Sequence, residues 1–259
     1  MMQTFASPTL ELIKYAAELL AKSRHAVVLT GAGLSTPSGI PDFRSEGTGL
    51  WSRDEPLEVA SLSTFRTAPE QFFRWFHPLA SQIFNAHPNA AHHVIAELEQ
   101  KGRIQAVITQ NIDMLHQKAG SQQVIEMHGT LRTLSCTQCY RQQGYQAYLP
   151  AFIESGVIPH CPACGAILKP DVILFGEQLP QKAWFEAQRE ARNCDLMVVV
   201  GSSLEVLPVA GLPMQAIDRG AHLIIINNSD TYLNVRADVV LREDVAAVLP
   251  AISEWMQYA

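Results

Sequence analysis

Cysteine is scarce in this chain, with five residues among 259, too few for a disulfide scaffold at that length. Basic charge is short as well. Lys and Arg number 19 against 25 Asp and Glu, a formal net charge of −6, so the basic face that nucleic acid binding requires is not expected. That balance weakly repels polyanions and tolerates basic peptides. No apolar run is long enough to span a bilayer, and the N-terminus lacks the charged-then-apolar pattern of an export signal. These absences predict a cytoplasmic protein with no nucleic-acid and no membrane partner. Repeats and low-complexity tracts are missing too. Apolar residues, by contrast, make up 47% of the chain, ample for one large domain or a domain with a smaller insert.

The few cysteines are informatively placed. Cys136-x2-Cys139 and Cys161-x2-Cys164 are separated by 21 residues, the spacing of a zinc ribbon. Four thiolates complete a tetrahedral shell, so the metal is expected to be one structural Zn²⁺ with no open catalytic position. His160 beside Cys161 is a possible fifth donor that the shell does not need. A redox dithiol is the competing reading, and two knuckles in one small segment speak against it. Cys194 reads as a buried bystander.

Apolar strands alternate with helical patterns along most of the chain. Strands are expected at 27–29, 104–109, 124–127, 172–175, 196–200, 223–226 and 239–241. Helices are expected after a Ser7-Pro8 start, over 89–100, 181–192 and 245–257. That alternation predicts an α/β fold with a parallel sheet covered on both faces. Residues 46–88 show no strand pattern; their aromatics, interrupted by Pro56, Pro69 and Pro78, read as short helices broken by proline. Each aromatic taken singly reads as core. Gly31, Gln110, Asn111, Asp113, His128, Gly201, Ser202 and Asn227 all fall just past strand ends, the edge at which open α/β sheets bind ligands.

The stretch Val27–Trp51 organises this edge. After a short apolar strand come Gly31-Ala32-Gly33-Leu34-Ser35-Thr36, then Ser38-Gly39-Ile40-Pro41-Asp42-Phe43-Arg44. Glycines at this spacing let backbone approach a pyrophosphate, with amides at a helix start to hold the anion. GxGxxT alone is equally compatible with a plain turn. The acidic ribose partner of a dehydrogenase is missing, because no strand leads to Asp54 or Glu55. His128, at a strand end and followed by Gly129, is the best candidate for a general base near neutral pH. Asn111 and Asp113 can face one pocket and meet a carboxamide, or simply cap a helix.

Residues Gly31–Arg44 closely resemble the signature of the sirtuins, NAD-dependent protein deacylases. Thr109–Asp113, His128-Gly129, the four cysteines, Phe175-Gly176-Glu177 and Gly201-Ser202-Ser203 follow in that family's order. The resemblance implies a Rossmann-like parallel-sheet domain from residues 1–45, 89–131 and 168–259. A small domain would combine a helical module (46–88) with a zinc ribbon (132–167). It further implies that Gly31, Ala32, Thr36, Asp42, Phe43 and Arg44 line the phosphates and nicotinamide ribose of NAD. Gln110, Asn111, Ile112 and Asp113 would hold ribose and carboxamide. Ser202, Ser203, Asn227 and Val245 would take the adenosine half. Ile173, Phe175, Gly176 and Val206 would form the slot for an acyl-lysine peptide, bound as an added strand. His128 would be the catalytic base, with Asn111 and Asp113 in support. NAD would be consumed, giving nicotinamide, free lysine and O-acetyl-ADP-ribose. Phe76-His77-Pro78-Leu79 stands where family members selective for acidic acyl groups carry Tyr-x-x-Arg, which implies acetyl or another neutral acyl group. Mono-ADP-ribosyl transfer and a non-catalytic NAD or ADP-ribose sensor are the alternatives.

Overall fold

The computed structural model describes residues 5–42 and 55–258. Its centre is a six-stranded parallel sheet built from β1 (Ala26–Thr30), β2 (Ile104–Thr109), β3 (Val124–Glu126), β7 (Leu196–Val200), β8 (His222–Ile226) and β9 (Val239–Leu241). They lie in the order β3-β2-β1-β7-β8-β9. This is the doubly wound arrangement, whose strand order reverses between β1 and β7. Every residue of those two strands is buried, as expected of strands covered on both faces.

Alternate side chains feed two cores. Val28, Val107, Val198 and Ile224 point to one face, against α1 (Ser7–Lys22), α5 (Ala90–Gln100) and α10 (Val245–Trp255). Val27, Leu29, Ile108, Met197 and Ile225 point to the other, against α8 (Gln181–Asn193) and α9 (Leu212–Ile217). Asn89 caps α5, accepting a hydrogen bond from the Ala91 amide. Ser7 does not cap α1: it is already helical, Ala6 precedes it, and no side chain caps that end.

A three-stranded antiparallel sheet, β5-β4-β6, forms the second body: β4 (Gly129–Cys136), β5 (Gln142–Gly144) and β6 (Leu168–Val172). It reaches a few residues beyond 132–167 at both ends. The strand expected at 172–175 is displaced, because β6 ends at Val172. Past it the backbone bonds to a different partner at each step: the Ile173 amide to His128 O, the Phe175 amide to Ala60 O. No single neighbour offers a ladder there.

The helical module packs on this sheet. It comprises α2 (Pro56–Val59), α3 (Leu62–Thr67) and α4 (Pro69–Asn85); residues 46–54 of the expected segment lie outside the described residues. Proline was expected to break these helices, yet Pro78 sits inside the 17-residue α4. Proline removes one backbone donor there, and the aromatic face compensates. Phe72, Phe73, Phe76, Leu79 and Ile83 are buried together with Phe65 and with Phe152 of α7 (Leu149–Ser155). Phe72 and Phe76 stack with centroids 5.5 Å apart. Such ring pairs add stability beyond the area they bury.

The four ribbon cysteines converge, their sulfurs all within 4.8 Å of one another. Zn–S bonds of about 2.3 Å require sulfurs about 3.8 Å apart. Backbone amides of Gln138 and Cys139 point at Cys136 Sγ, both at 3.4 Å, as suits a thiolate acceptor. The donor set therefore fits tetrahedral zinc. His160 is not among the converging donors, and its Nδ1 donates to Ile158 O at 2.8 Å. Cys194 is the bystander expected: its Sγ meets Ala191 O, and burial pushes the thiol up to about 12.

Beneath the end of β1 lie two buried histidines, His92 of α5 at 0% and His116 of α6 (Leu115–Ala119) at 1% exposure, with ring centroids 5.1 Å apart. His92 Nδ1 accepts from the Asn89 amide, and His116 Nε2 meets Thr30 Oγ1 at 3.0 Å. Burial first, and repulsion from a neighbouring histidine second (His93 acting on His92, His92 acting on His116), lower their pKa values to about 4 and about 3.

Two outcomes follow from these features. Elemental analysis should return about one zinc per chain, and Cys136→Ala should lose the metal together with stability of the ribbon; a stable, metal-free variant with full activity would refute a structural zinc. In acid, both histidines take up protons when unfolded, near pH 6.5, before they do so when folded. Stability is therefore fully present above that pH and falls as pH drops toward 4 and 3. Urea titrations across that window should give a pH slope that His116→Phe makes shallower by on the order of one proton. An unchanged slope would contradict the neutral, buried state.

Candidate active site

The loops after β1 and β7 cross at the switch point of the sheet. The Gly31 amide donates to Val200 O and the Gly33 amide to Gly201 O. A Cβ on Gly31 would sit 2.7 Å from Gly201 O, and one on Gly33 2.9 Å from Gly201 Cα. Gly201 has φ +62° and its Cβ would lie 2.2 Å from the Leu34 amide nitrogen. These glycines allow two backbones to touch. The chain then runs through two short 3₁₀ turns, Ala32–Leu34 and Thr36–Ser38, where an α-helix start was expected. The amides of Gly33, Leu34 and Ser35 are all bonded within the protein.

A cleft of about 830 Å³ opens above this crossing. The volume lies in the upper range of ligand pockets, enough for a dinucleotide with part of a second substrate. Of the NAD residues expected, Gly31, Ala32, Asp42, Gln110, Asn111, Ile112, Asp113, His128, Ser202, Ser203 and Asn227 line it. So do all four peptide-slot residues, Ile173, Phe175, Gly176 and Val206. Two expected residues do not. Thr36 faces outward with its hydroxyl on Gly33 O, 3.0 Å away, closing its own turn. Val245 is 5% exposed in the core beneath α10. Phe43 and Arg44 lie outside the described residues, as does Trp51.

His128 is oriented by its backbone partner. Its Nδ1 lies 2.9 Å from Gln110 O, and a carbonyl can only accept, so Nδ1 carries the hydrogen and Nε2 is the basic nitrogen. Burial lowers its pKa, with the Gln110 hydrogen bond acting in the opposite sense. The ring is thus neutral at neutral pH and able to take a proton. Gly129 does more than leave that ring accessible, because a Cβ there would lie 2.1 Å from Asp171 O of β6.

Asn111 and Asp113 turn toward Ser35. The Asn111 side-chain amide donates to Gly31 O (3.0 Å) and Ser35 Oγ (3.2 Å). Ser35 in turn donates to Asp113 Oδ2 at 2.6 Å. Asp113 Oδ1 accepts from the Leu115 amide at the start of α6. At 4% exposure, burial pushes the Asp113 carboxyl above the usual range, opposed by Ser35, the Leu115 amide and Lys118. Asp113 thus lines the cleft while its carboxylate also holds the amide at the start of α6. Ser35 was not singled out from sequence, and its only signal was a small hydroxyl inside the glycine motif. Across the cleft, the Gln110 side-chain amide donates to Ser202 Oγ at 2.8 Å.

At the far end the lining becomes apolar, with Phe72, Trp75, Phe76, Leu79 and Ile83. From sequence Phe72 and Trp75 read only as core, and Ile83 carries no separate signal. Among the described residues, no Lys or Arg lines the cleft. His77 points away, its Nε2 at 3.0 Å from Ile153 O.

Residues 31–208 match the model of the Sir2 family. An Archaeoglobus fulgidus NAD-dependent protein deacylase 2 is 49% identical over 243 residues, covering 93% of this chain and 95% of its own length. A solved Sir2 enzyme superposes with a TM-score of 0.90 at 48% identity, covering 96% of this chain and 98% of the other. A Sir2 protein solved with a p53 peptide and NAD⁺ gives 0.85 at 38% identity, over 95% and 99%. On the strength of the matched motif span and of these similarities along nearly its whole length, the chain belongs to the Sir2 family.

Proposed function

We propose that this chain removes acetyl or other neutral acyl groups from protein lysines, consuming NAD and releasing nicotinamide, free lysine and O-acetyl-ADP-ribose. The observation that carries the reading is His128: a half-buried, neutral imidazole whose Nδ1–H is fixed on Gln110 O, leaving Nε2 basic at a cleft of dinucleotide size. The Sir2 protein solved with peptide and NAD⁺ supports the substrate pair.

What NAD supplies when bound is an activated glycosidic bond, whose cleavage lets the acyl group pass to the ribose. The residues divide the remaining work. Gln110, Ile112, Ser202, Ser203 and Asn227 would hold the nucleotide along the strand edge, with Ala32 and Asp42 beside the phosphates. Ser35, Asn111 and Asp113 would fix the ribose-facing loop through the hydrogen bonds described. His128 Nε2 would take a proton from a ribose hydroxyl, making that oxygen nucleophilic toward the acyl carbon. Ile173, Phe175, Gly176 and Val206 would pair with the peptide backbone. The large sheet with its helices and the ribbon with its helical module would form the two walls.

The apolar end decides acyl choice. Burying a carboxylate among Phe76, Leu79 and their neighbours without a cation is costly. Acetyl-lysine peptides should therefore show a far higher kcat/KM than succinyl-lysine peptides, and comparable values would defeat this account of the pocket.

His128→Ala should keep its fold and bind NAD while deacetylation drops by roughly 10²–10⁴-fold. Wild-type activity should fall on the acid side with an apparent pKa below the ordinary 6.5 of histidine, because burial disfavours the imidazolium. Near-normal activity in a folded His128→Ala protein would move the base elsewhere.

A further inference from the structure

Glu177 completes the Phe175-Gly176-Glu177 motif, and the reaction as described gives it no task. Its carboxylate Oε2 accepts the Leu174 amide at 2.8 Å, while its own amide donates to Leu174 O at 2.9 Å. Residues 174–177 are thereby closed into a turn from both sides. The same Oε2 lies 3.0 Å from Lys169 Nζ. That ammonium also donates to Val172 O at 2.7 Å and to Pro170 O at 3.3 Å. An ammonium has three donors, and here three acceptors match them. The pair is largely enclosed, with side-chain exposures of 16% and 19%.

Lys169 belongs to β6 and pairs with Ser135 of β4. Its neighbour Leu168 is packed against Cys136 and Cys161. The lysine therefore stands on the metal-holding ribbon and reaches forward to the turn that carries Phe175 and Gly176. On its other flank, that turn is stitched to the helical module through the Phe175 amide on Ala60 O and the Leu62 amide on Phe175 O. One side chain thus joins the ribbon to a turn that has no ladder of its own.

We propose that Lys169 and Glu177 are positioning residues for the acyl-peptide slot, their ion pair setting the Leu174–Glu177 turn on the ribbon so that an incoming peptide meets a preformed edge. The proposal rests on the reading of Ile173, Phe175, Gly176 and Val206 as that slot. Neither side chain touches reacting atoms, so the effect falls on peptide binding. Removing the cation leaves Val172 O and a mostly buried carboxylate without their partner, which frees the turn. Lysine-to-arginine replacement keeps the charge and the reach.

The test is steady-state kinetics on the zinc-loaded protein with an acetyl-lysine peptide and NAD, each varied in turn. Lys169→Met should raise the peptide KM by about ten-fold or more, the size of effect a charge-assisted hydrogen bond carries. The NAD KM and kcat should stay within about three-fold. Lys169→Arg should restore most of the peptide KM. Glu177→Gln keeps an oxygen for the Leu174 amide but loses the charge, so it should raise the peptide KM by a smaller factor; it also decides the matter if Lys169→Met does not fold. Val206→Asp serves as the control for the slot itself. If Val206→Asp raises the peptide KM while Lys169→Met and Glu177→Gln do not, the slot stands and the positioning role is overturned. If Val206→Asp leaves it unmoved, the slot reading fails and the proposal falls with it. Equal rises in the peptide and NAD KM values would mark a general structural role and also overturn it.

Discussion

The contact on which the site depends is the crossing of two backbone turns, Gly31–Gly33 after β1 and Gly201 after β7. Strand order reverses between these two strands, so their exits must diverge to opposite faces while remaining within hydrogen-bond reach. The Gly33 amide on Gly201 O at 2.9 Å is that reach. Side chains at any of the three positions would push the turns apart by more than a packed interior yields. Gly201 carries a second constraint, since its positive φ strains any other residue. Glycine spacing that looks like a phosphate fingerprint is therefore first a requirement of chain crossing. Any service to phosphate comes on top of it.

From that crossing, polar contacts spread outward in order. Gly31 O holds Asn111, Asn111 shares Ser35 with Asp113, and Asp113 starts α6. One layer below, Thr30 Oγ1 links Thr109 at 2.8 Å to His116, and Thr109 Oγ1 accepts the Asn111 amide. A loop carrying Gln110 to Asp113 is thus held from above and below. Loops bearing chemistry need such support, because misplacement by an ångström costs catalysis dearly. His128 gains its orientation from the same loop, through Gln110 O.

Much of this was legible in the sequence, and the limits have physical causes. Strands of the large sheet announce themselves because burial on both faces forces apolar runs such as Leu196–Val200. The four cysteines declare their cluster by spacing alone. Strands β4 and β5 were not legible. β5 has only three residues, and the eight of β4 mix buried and exposed positions out of step, so neither a run nor a clean alternation marks them. Pro78 misleads because intrinsic propensity yields to an aromatic face buried in one core. Phe72, Trp75 and Ile83 show a further limit: a side chain can belong to a core and to a cleft wall at once, and sequence reports only its hydrophobicity. Ser35 and the displacement of Val245 depend on which way a turn faces, a property of tertiary contacts.

The segment past β6 shows why the second body is more than a metal-bound appendage. Between Ile173 and Glu177 the chain finds hydrogen-bond partners at His128 in the link from the large sheet's edge strand β3 to β4, on the helical module at Ala60, and on the ribbon at Lys169. A strand in a continuous sheet would have its amides and carbonyls matched by two neighbours in regular register. Here three bodies each supply part of the match, so the segment holds its place only while all three are assembled. Residues 173–176 consequently sit where His128, the apolar end of the cleft and the ribbon meet. An edge built this way is short and flanked by a largely enclosed ion pair, features that limit indiscriminate strand addition. The physical cost of leaving the segment outside a ladder is offset by the three anchors that define its place beside His128.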